Sequence, residues 1–440
     1  MVMEQSDLAN KISEVCLNFY NNLPNAKRVI KNSEWTILSA IVMERDATFE
    51  VVSLGSGTKC IGGNMLSANG DILNDFHAEV IARRAFIRFL IHQIHAVKLR
   101  DEQSIFRIDD DNKRFKLKDN VKFHMFTTST PCGDASIYAT SDNPRDNNNE
   151  KEGGGGDKND NDEPDTKRIK LCTSLPDGFT GAKLMFDEDV EDLMEQTEGK
   201  IRIKPGKGDR TMSLSCSDKI ARWNLMGLQG CMLSSLIDPI YLESIVLCDG
   251  TSFNHAAMER AIWKRFKGAD KLLQHPFKLN TPKVLIANNK LKFIFARNDK
   301  DRVNPSSNSI IYSKIPETMR PLEIGVSGKR QGVTKKHLQT RKAHLKISKI
   351  ELFTEYMSIL NEFSELKAHL YSDAINSDDL CYKDVKTLPK NEYYVQWKRL
   401  RIELLPNWTT KNENLLNFKS YFITPSSHTT NNTTIAVELK

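Results

Sequence analysis

Apolar and polar positions follow two different periods along this chain. Residues 34–44 and 49–54 are rich in Val, Ile and Thr and predict a pair of strands. Residues 74–97 repeat their apolar positions with a helical period, and Asn74 or Asp75 is placed to cap that helix. Residues 122–128 predict a strand that runs into Ser-Thr-Pro-Cys-Gly-Asp-Ala-Ser, where Pro131 suits the first turn of another helix. Further on, residues 217–236 predict a helical stretch and 244–248 a short apolar strand. Residues 283–286 and 291–295 predict a hairpin, and 348–372 and 389–405 two closing helices. The pattern is α/β with a helical C-terminal third and no internal repeat.

One stretch breaks the pattern. Residues 141–173 are rich in Asn, Asp and Gly and nearly free of large apolar side chains. Such a segment cannot bury enough surface to offset its ordering entropy, so it is expected to be a disordered insertion. Its Lys-Arg-Ile-Lys tail resembles a weak nuclear signal, and the expected location is nucleus, cytoplasm or both. The apolar run near 225–248 is interrupted by Gln229, Asp238 and Glu243, so no membrane association is expected. The first residues lack a leader pattern. Eight cysteines scattered through 440 residues then read as free thiols or metal ligands rather than a disulfide framework. A net charge of +6 leans mildly toward an anionic partner.

Two short motifs carry chemistry. Asn-Asp-Phe-His77-Ala-Glu79 opens a helix, and Pro131-Cys132-Gly follows a strand. His-x-Glu followed by Pro-Cys is the signature of zinc-dependent deaminases. Residues two apart on a helix point about 200° from each other. His77 and Glu79 can therefore share a metal only where first-turn side chains converge at a helix N-terminus. A helix start also favours the Cys132 thiolate. The signature normally continues to a second cysteine three residues on, but here Ala135 stands there. Cys172, at the edge of the insertion, is a poor replacement. Cys216, in Ser-Cys-Ser-Asp-Lys just before a helix, is a good one.

Taken together, the run 74–90, the Pro-Cys-Gly-Asp-Ala-Ser turn, Ser-Cys-Ser-Asp-Lys and Gly-Thr-Lys-Cys60 resemble the adenosine-to-inosine RNA deaminases. The resemblance covers roughly residues 33–411, as one deaminase domain over 1–440 interrupted by the insertion. It implies a cytidine-deaminase-like mixed sheet flanked by helices, with a helical C-terminal extension packed into the same domain. It also implies a zinc site of His77, Cys132 and Cys216 with a fourth position for water, and Glu79 as the proton shuttle.

The same resemblance implies a second ligand, a buried inositol hexakisphosphate. The matching cage residues are Asn74, Arg83, Arg84, Lys219, Arg222, Tyr382, Lys386, Trp408 and Lys411, with Lys336 and Tyr393 added on looser spacing. Asp75 and Lys219 would link this cage to the zinc. Cys231 stands where a serine is expected, and Trp397 near an expected lysine, with Lys398 next to it. Without the resemblance, these cations would read as snorkelling side chains on amphipathic helices.

About thirty residues precede the first predicted strand, too few for a double-stranded-RNA-binding module. The chain is therefore closer to the stand-alone tRNA enzymes, which act next to the anticodon of alanine tRNA (position 37) and imply no obligate protein partner. A base in a single-stranded loop flips out at little cost. Thr58 and Lys59 are the expected nucleotide contacts. Editing of duplex messenger RNA and a non-catalytic RNA-binding subunit with structural zinc are the rival readings; Glu79 argues against the second.

Overall fold

The computed structural model describes residues 4–24, 26–109, 114–138, 180–184, 197–206, 211–297, 302–371, 380–387 and 391–421. The predicted insertion at 141–173 lies outside them. The main sheet has eight strands: β1 (Leu38–Arg45), β2 (Thr48–Ser56), β3 (Val121–Thr127), β4 (Ser244–Leu247), β5 (Lys283–Ile286), β6 (Asn308–Ser313), β7 (Leu322–Val326) and β8 (Lys329–Arg330). Their spatial order is β5-β4-β3-β1-β2-β6-β7-β8. β3, β4 and β5 run parallel, and the remaining neighbours are antiparallel. This is the mixed α/β sheet that the family resemblance implies.

The helices are α1 (Gln5–Asn22), α2 (Ala78–Lys98), α3 (Cys216–Met226), α4 (His255–Ile262), α5 (Lys349–Glu362), α6 (Ser364–Leu370), α7 (Tyr382–Thr387) and α8 (Glu392–Leu404). Central strands are buried on both faces, and their alternation divides the core in two. Ile41, Met43, Phe123, Met125, Ile245 and Leu247 pack with Phe86, Phe89 and Leu90 of α2. Ala40, Val42, Phe126 and Val246 pack on the other side with Ile12, Cys16 and Tyr20 of α1. α1 was not among the expected elements, although Ala9, Ile12, Cys16 and Tyr20 repeat at helical spacing. Among the described residues no helix is long and apolar enough to cross a membrane.

Four expectations are corrected. Residues 291–295 form no strand. β5 instead pairs in parallel with β4, and Phe293 and Phe295 turn their rings onto Tyr20 of α1 at 5.1 and 6.5 Å between centroids. Burial of two aromatic rings outweighs a local ladder. The 217–236 stretch breaks at Gly227 and Gly230, with φ of 79° and 74°, conformations that stop a helix. The 348–372 helix breaks at Phe363, which leaves the helical region to pack edge-on against Phe115. Pro131-Cys132 opens no α-helix, because Gly133 adopts φ 103° and only a 3-10 turn, Asp134–Ser136, follows.

Candidate active site and basic cavity

His77 is the N-cap of α2, two positions after Asp75 and three after Asn74, the residues expected to cap it. Asp75 still serves the cap, since its Oδ1 accepts the His77 N–H at 3.0 Å. Glu79 follows in the first turn and is 1% exposed. β3 delivers Cys132. Ser215 caps α3 by accepting the Asp218 N–H at 3.2 Å, which sets Cys216 at the first helical position. The start of α3 also grips the Cys132 carbonyl, which accepts from Ser217 N and Ser217 Oγ, both at 3.0 Å. Three segments far apart in sequence are thereby pinned to one point.

At that point His77 Nδ1 lies 3.7 Å from Cys132 Sγ and 3.5 Å from Cys216 Sγ. These three ligand atoms all fall within 4.8 Å of one another, as do those of Cys60, Asp75 and His77. The first set suits a soft divalent metal and the second does not. Burial, then Asp75, pushes the Cys60 thiol up to about 12, so it stays protonated. Asp75 is already held by Lys204, Lys219 and Ser213. In the first set, Cys132 lies well below the ordinary thiol range, chiefly through its hydrogen bond with Cys216. The Cys216 backbone N–H also donates to the Cys132 sulfur at 3.3 Å. Burial drives Cys216 up, and Lys204 Nζ donates to its sulfur at 3.1 Å. Two sulfurs and an imidazole nitrogen converging at this spacing suit a soft divalent cation that displaces thiol protons.

Glu79 is no member of either set. Its Oε2 is buried without a hydrogen-bond partner among the described residues, and a buried carboxylate oxygen with no partner is rare in a folded protein. Burial raises its pKa, against the pull of His77. Thr58 and Lys59 leave β2 beside the start of α2, where Ala78 N donates to Gly57 O at 3.1 Å and Phe76 N to Lys59 O at 2.9 Å. The Thr58 hydroxyl is buried without a partner among the described residues, and exposed Lys59 donates to Ser307 Oγ at 2.8 Å. Both therefore lie on the connection between β2 and the start of α2.

Gly133 permits this assembly. A Cβ there would sit 2.2 Å from Ser215 Oγ, and its φ of 103° disfavours any side chain. Gly133→Ala is expected to destabilise the fold by about 2 kcal/mol and to lower metal content by shifting Cys132 away from Cys216. Urea unfolding and metal analysis of the purified variant check both effects; wild-type values in both would show that the turn tolerates a side chain.

Behind this site lies a cavity of about 460 Å³. Asn74, Arg83, Arg84, Lys219, Arg222, Tyr382, Lys386, Tyr393, Trp408 and Lys411, the residues matched to a cage by the family resemblance, all line it. Lys336 does not. It is exposed on a 3-10 turn, Lys335–His337, and is corrected. Lys349, at the start of α5, lines the wall instead. Cys231 and Trp397 also line it, so both departures from the family pattern fall on its surface. The Arg222 guanidinium stacks 4.0 Å from the Trp397 ring centroid and donates from Nε to Tyr393 OH at 3.1 Å. Asn74, in the amide orientation its neighbours dictate, accepts from Lys411 Nζ at 3.0 Å.

The lining holds nine Lys and Arg residues and one acid, Asp75. That imbalance leaves buried cations facing one another. Burial, then Lys411, Arg84 and Lys386, brings Lys349 down to about 6. Burial, then Lys219 and Arg84, brings Lys411 down to about 8. Asp75 joins the two sites. Burial would raise it, but Lys204 and Lys219 hold it well below the usual carboxylate range. Lys204, fully buried, bonds both Asp75 (2.8 Å) and Cys216. Sequence reasoning missed Lys204, which lies in a basic stretch of no distinctive pattern.

Comparison with known proteins agrees with this geometry. Residues 53–412 match the adenosine-deaminase (editase) domain model. A tRNA-specific adenosine deaminase 1 of Drosophila melanogaster is 37% identical over 93% of this chain and 96% of its own length. The human protein of the same name is 30% identical over 91% of the chain and 97% of its own length. A double-stranded RNA-specific editase of Drosophila melanogaster is 35% identical over 57% of the chain, but only 34% of its own length. The matched span contains His77, Glu79, Cys132, Cys216 and every cavity residue named above, and the chain belongs to the adenosine-deaminase (editase) domain family.

Proposed function

We propose that this protein hydrolyses adenosine to inosine in tRNA, at position 37 of alanine tRNA, with zinc on His77, Cys132 and Cys216. The observation that carries the chemistry is the pairing of a His/Cys2 cluster with a buried carboxylate whose Oε2 has no partner among the described residues. One imidazole and two thiolates neutralise a zinc ion and leave a position free. Zinc held there supplies the Lewis acidity that makes water a nucleophile near neutral pH. Glu79 takes a proton from the attacking water and delivers it to N1 of the purine; it then takes the second proton from the hydroxyl added at C6 and gives it to the departing amine. Water adds at C6, the C6–N6 bond breaks, and inosine and ammonia leave. Burial favours a Glu79 that can hold the proton between these steps.

The substrate reading rests on coverage. The chain spans nearly the whole of relatives named for tRNA and about a third of the one named for double-stranded RNA. Thr58 and Lys59 would meet the flipped nucleotide. The basic cavity fits inositol hexakisphosphate, held by the cations that line it and, by charge-assisted hydrogen bonds, serving as part of the core. Incubation of purified protein with alanine tRNA, followed by sequencing, should convert the loop adenosine to a base read as guanosine. No conversion in zinc- and polyphosphate-replete protein would sink this reading.

A further inference from the structure

We propose that residues 327–346 form a phosphodiester-binding arm that holds the RNA outside the active site. This rests on the RNA reading above. The segment contains Lys329, Arg330, Lys335, Lys336, Arg341, Lys342 and Lys346 and no Asp or Glu, a charge of +7. The whole chain carries +6, so all other residues together net −1. The surplus positive charge of the protein is thus concentrated in twenty residues. The cavity does not use them: of these residues none lines it.

The fold sets this segment at the rim of the site. β2 ends at Ser56, whose Oγ accepts from Ile310 N at 2.9 Å, and the chain continues directly into Thr58 and Lys59. β7 ends at the same edge of the sheet, with Val326 opposite Asn308 at the start of β6. The segment leaves from there. Gly328 O accepts from Leu73 N at 3.0 Å, and Gln331 Nε2 donates to Asn308 Oδ1 at 3.3 Å. Lys59 reaches Ser307, the next residue along. A continuous polar ridge therefore runs from the expected nucleotide contact to the arm.

The arm is built to stay charged. Lys329 donates to Leu338 O and Arg330 to Lys342 O, so two cations brace the loop through carbonyls without being neutralised. Of the seven cations, Arg341 and Lys346 alone meet a carboxylate among the described residues, Glu351, which His344 of the same segment also contacts, and this ties the far end to α5. Lys335, Lys336 and Lys342 are exposed and have no ion pair among the described residues. A braced loop loses little entropy when it binds, and each ammonium can displace a counterion from the phosphate backbone.

The test replaces Lys335, Lys336 and Lys342 together by alanine in the full chain. Their lack of partners means the melting temperature should match wild type. KM for alanine tRNA is expected to rise about tenfold or more, with kcat at saturation unchanged. The slope of log affinity against log salt, from tRNA anisotropy titrations, should flatten by about 2. Unchanged KM and salt slope would overturn the proposal, as would a loss confined to kcat. A wild-type protein that neither binds nor deaminates tRNA would instead overturn the parent reading, and the arm's substrate with it.

Discussion

Glu79→Gln should lose deaminase activity by about a thousandfold or more while keeping the metal content of wild type. The two outcomes separate because Glu79 stands next to the metal-capable cluster without belonging to it. Its carboxylate is buried and its Oε2 has no partner among the described residues. Glutamine preserves volume and polarity there, so α2 and the His77 cap are undisturbed. What it removes is the ability to accept, hold and return a proton. No described carboxylate can take over: Asp75 is held well below the usual range and already bonds Lys204, Lys219 and Ser213. Turnover is measured on alanine tRNA and zinc by elemental analysis of the same preparation. A variant within tenfold of wild type would show that another group moves the proton.

Stripping the polyphosphate should have a comparable effect on stability. In the cavity, Arg83 is brought down to about 10, first by burial and then by Arg84 and Arg222, with Tyr393 opposing them. Lys411 and Lys349 fall further. For both lysines the folded pKa lies below that of the unfolded chain. Between about 6 and the ordinary lysine range the unfolded chain therefore binds more protons. Stability of stripped protein should rise with pH across that window and fall as pH drops, first through about 8 and then toward about 6. Inositol hexakisphosphate should flatten this dependence and, at a thousandfold excess over its Kd, add roughly 4 kcal/mol. Thermal melts from pH 6 to 10, with and without the added polyanion, test this. Protein that refolds only when the polyanion is supplied would also support it. Identical melting temperatures in both series, with no phosphorus released on denaturation, would rule it out.

The candidate metal site was legible in the sequence because metal chemistry restricts residue type so strongly. His77, Glu79 and Cys132 sit in contiguous motifs, and the missing cysteine at position 135 directed attention to Cys216. The local geometry was less legible. Gly133 ends the expected helix at Cys132 before it begins, because its positive φ lets Ser215 pack against the turn. The N-terminal helix carried a readable helical period, yet only the sheet face it covers explains why that period buries Cys16 and Tyr20.

By itself the sequence determined the α/β class and singled out the His and Cys residues that meet at one point, since each depends on residue identity or on a short-range period, whereas the cations that line the cavity were expected only through the family resemblance. Tertiary structure decided burial, and burial depends on which distant segments meet. Lys349 and Lys336 belong to similar basic surroundings, but α5 turns the first toward the cavity and the 3-10 turn leaves the second in solvent. Lys204 became the bridge between Asp75 and Cys216 only because the chain brings residues 75, 204 and 216 into one buried volume. Charge alone cannot distinguish a caged cation from an exposed one. The difference is set by which side chains exclude water around it.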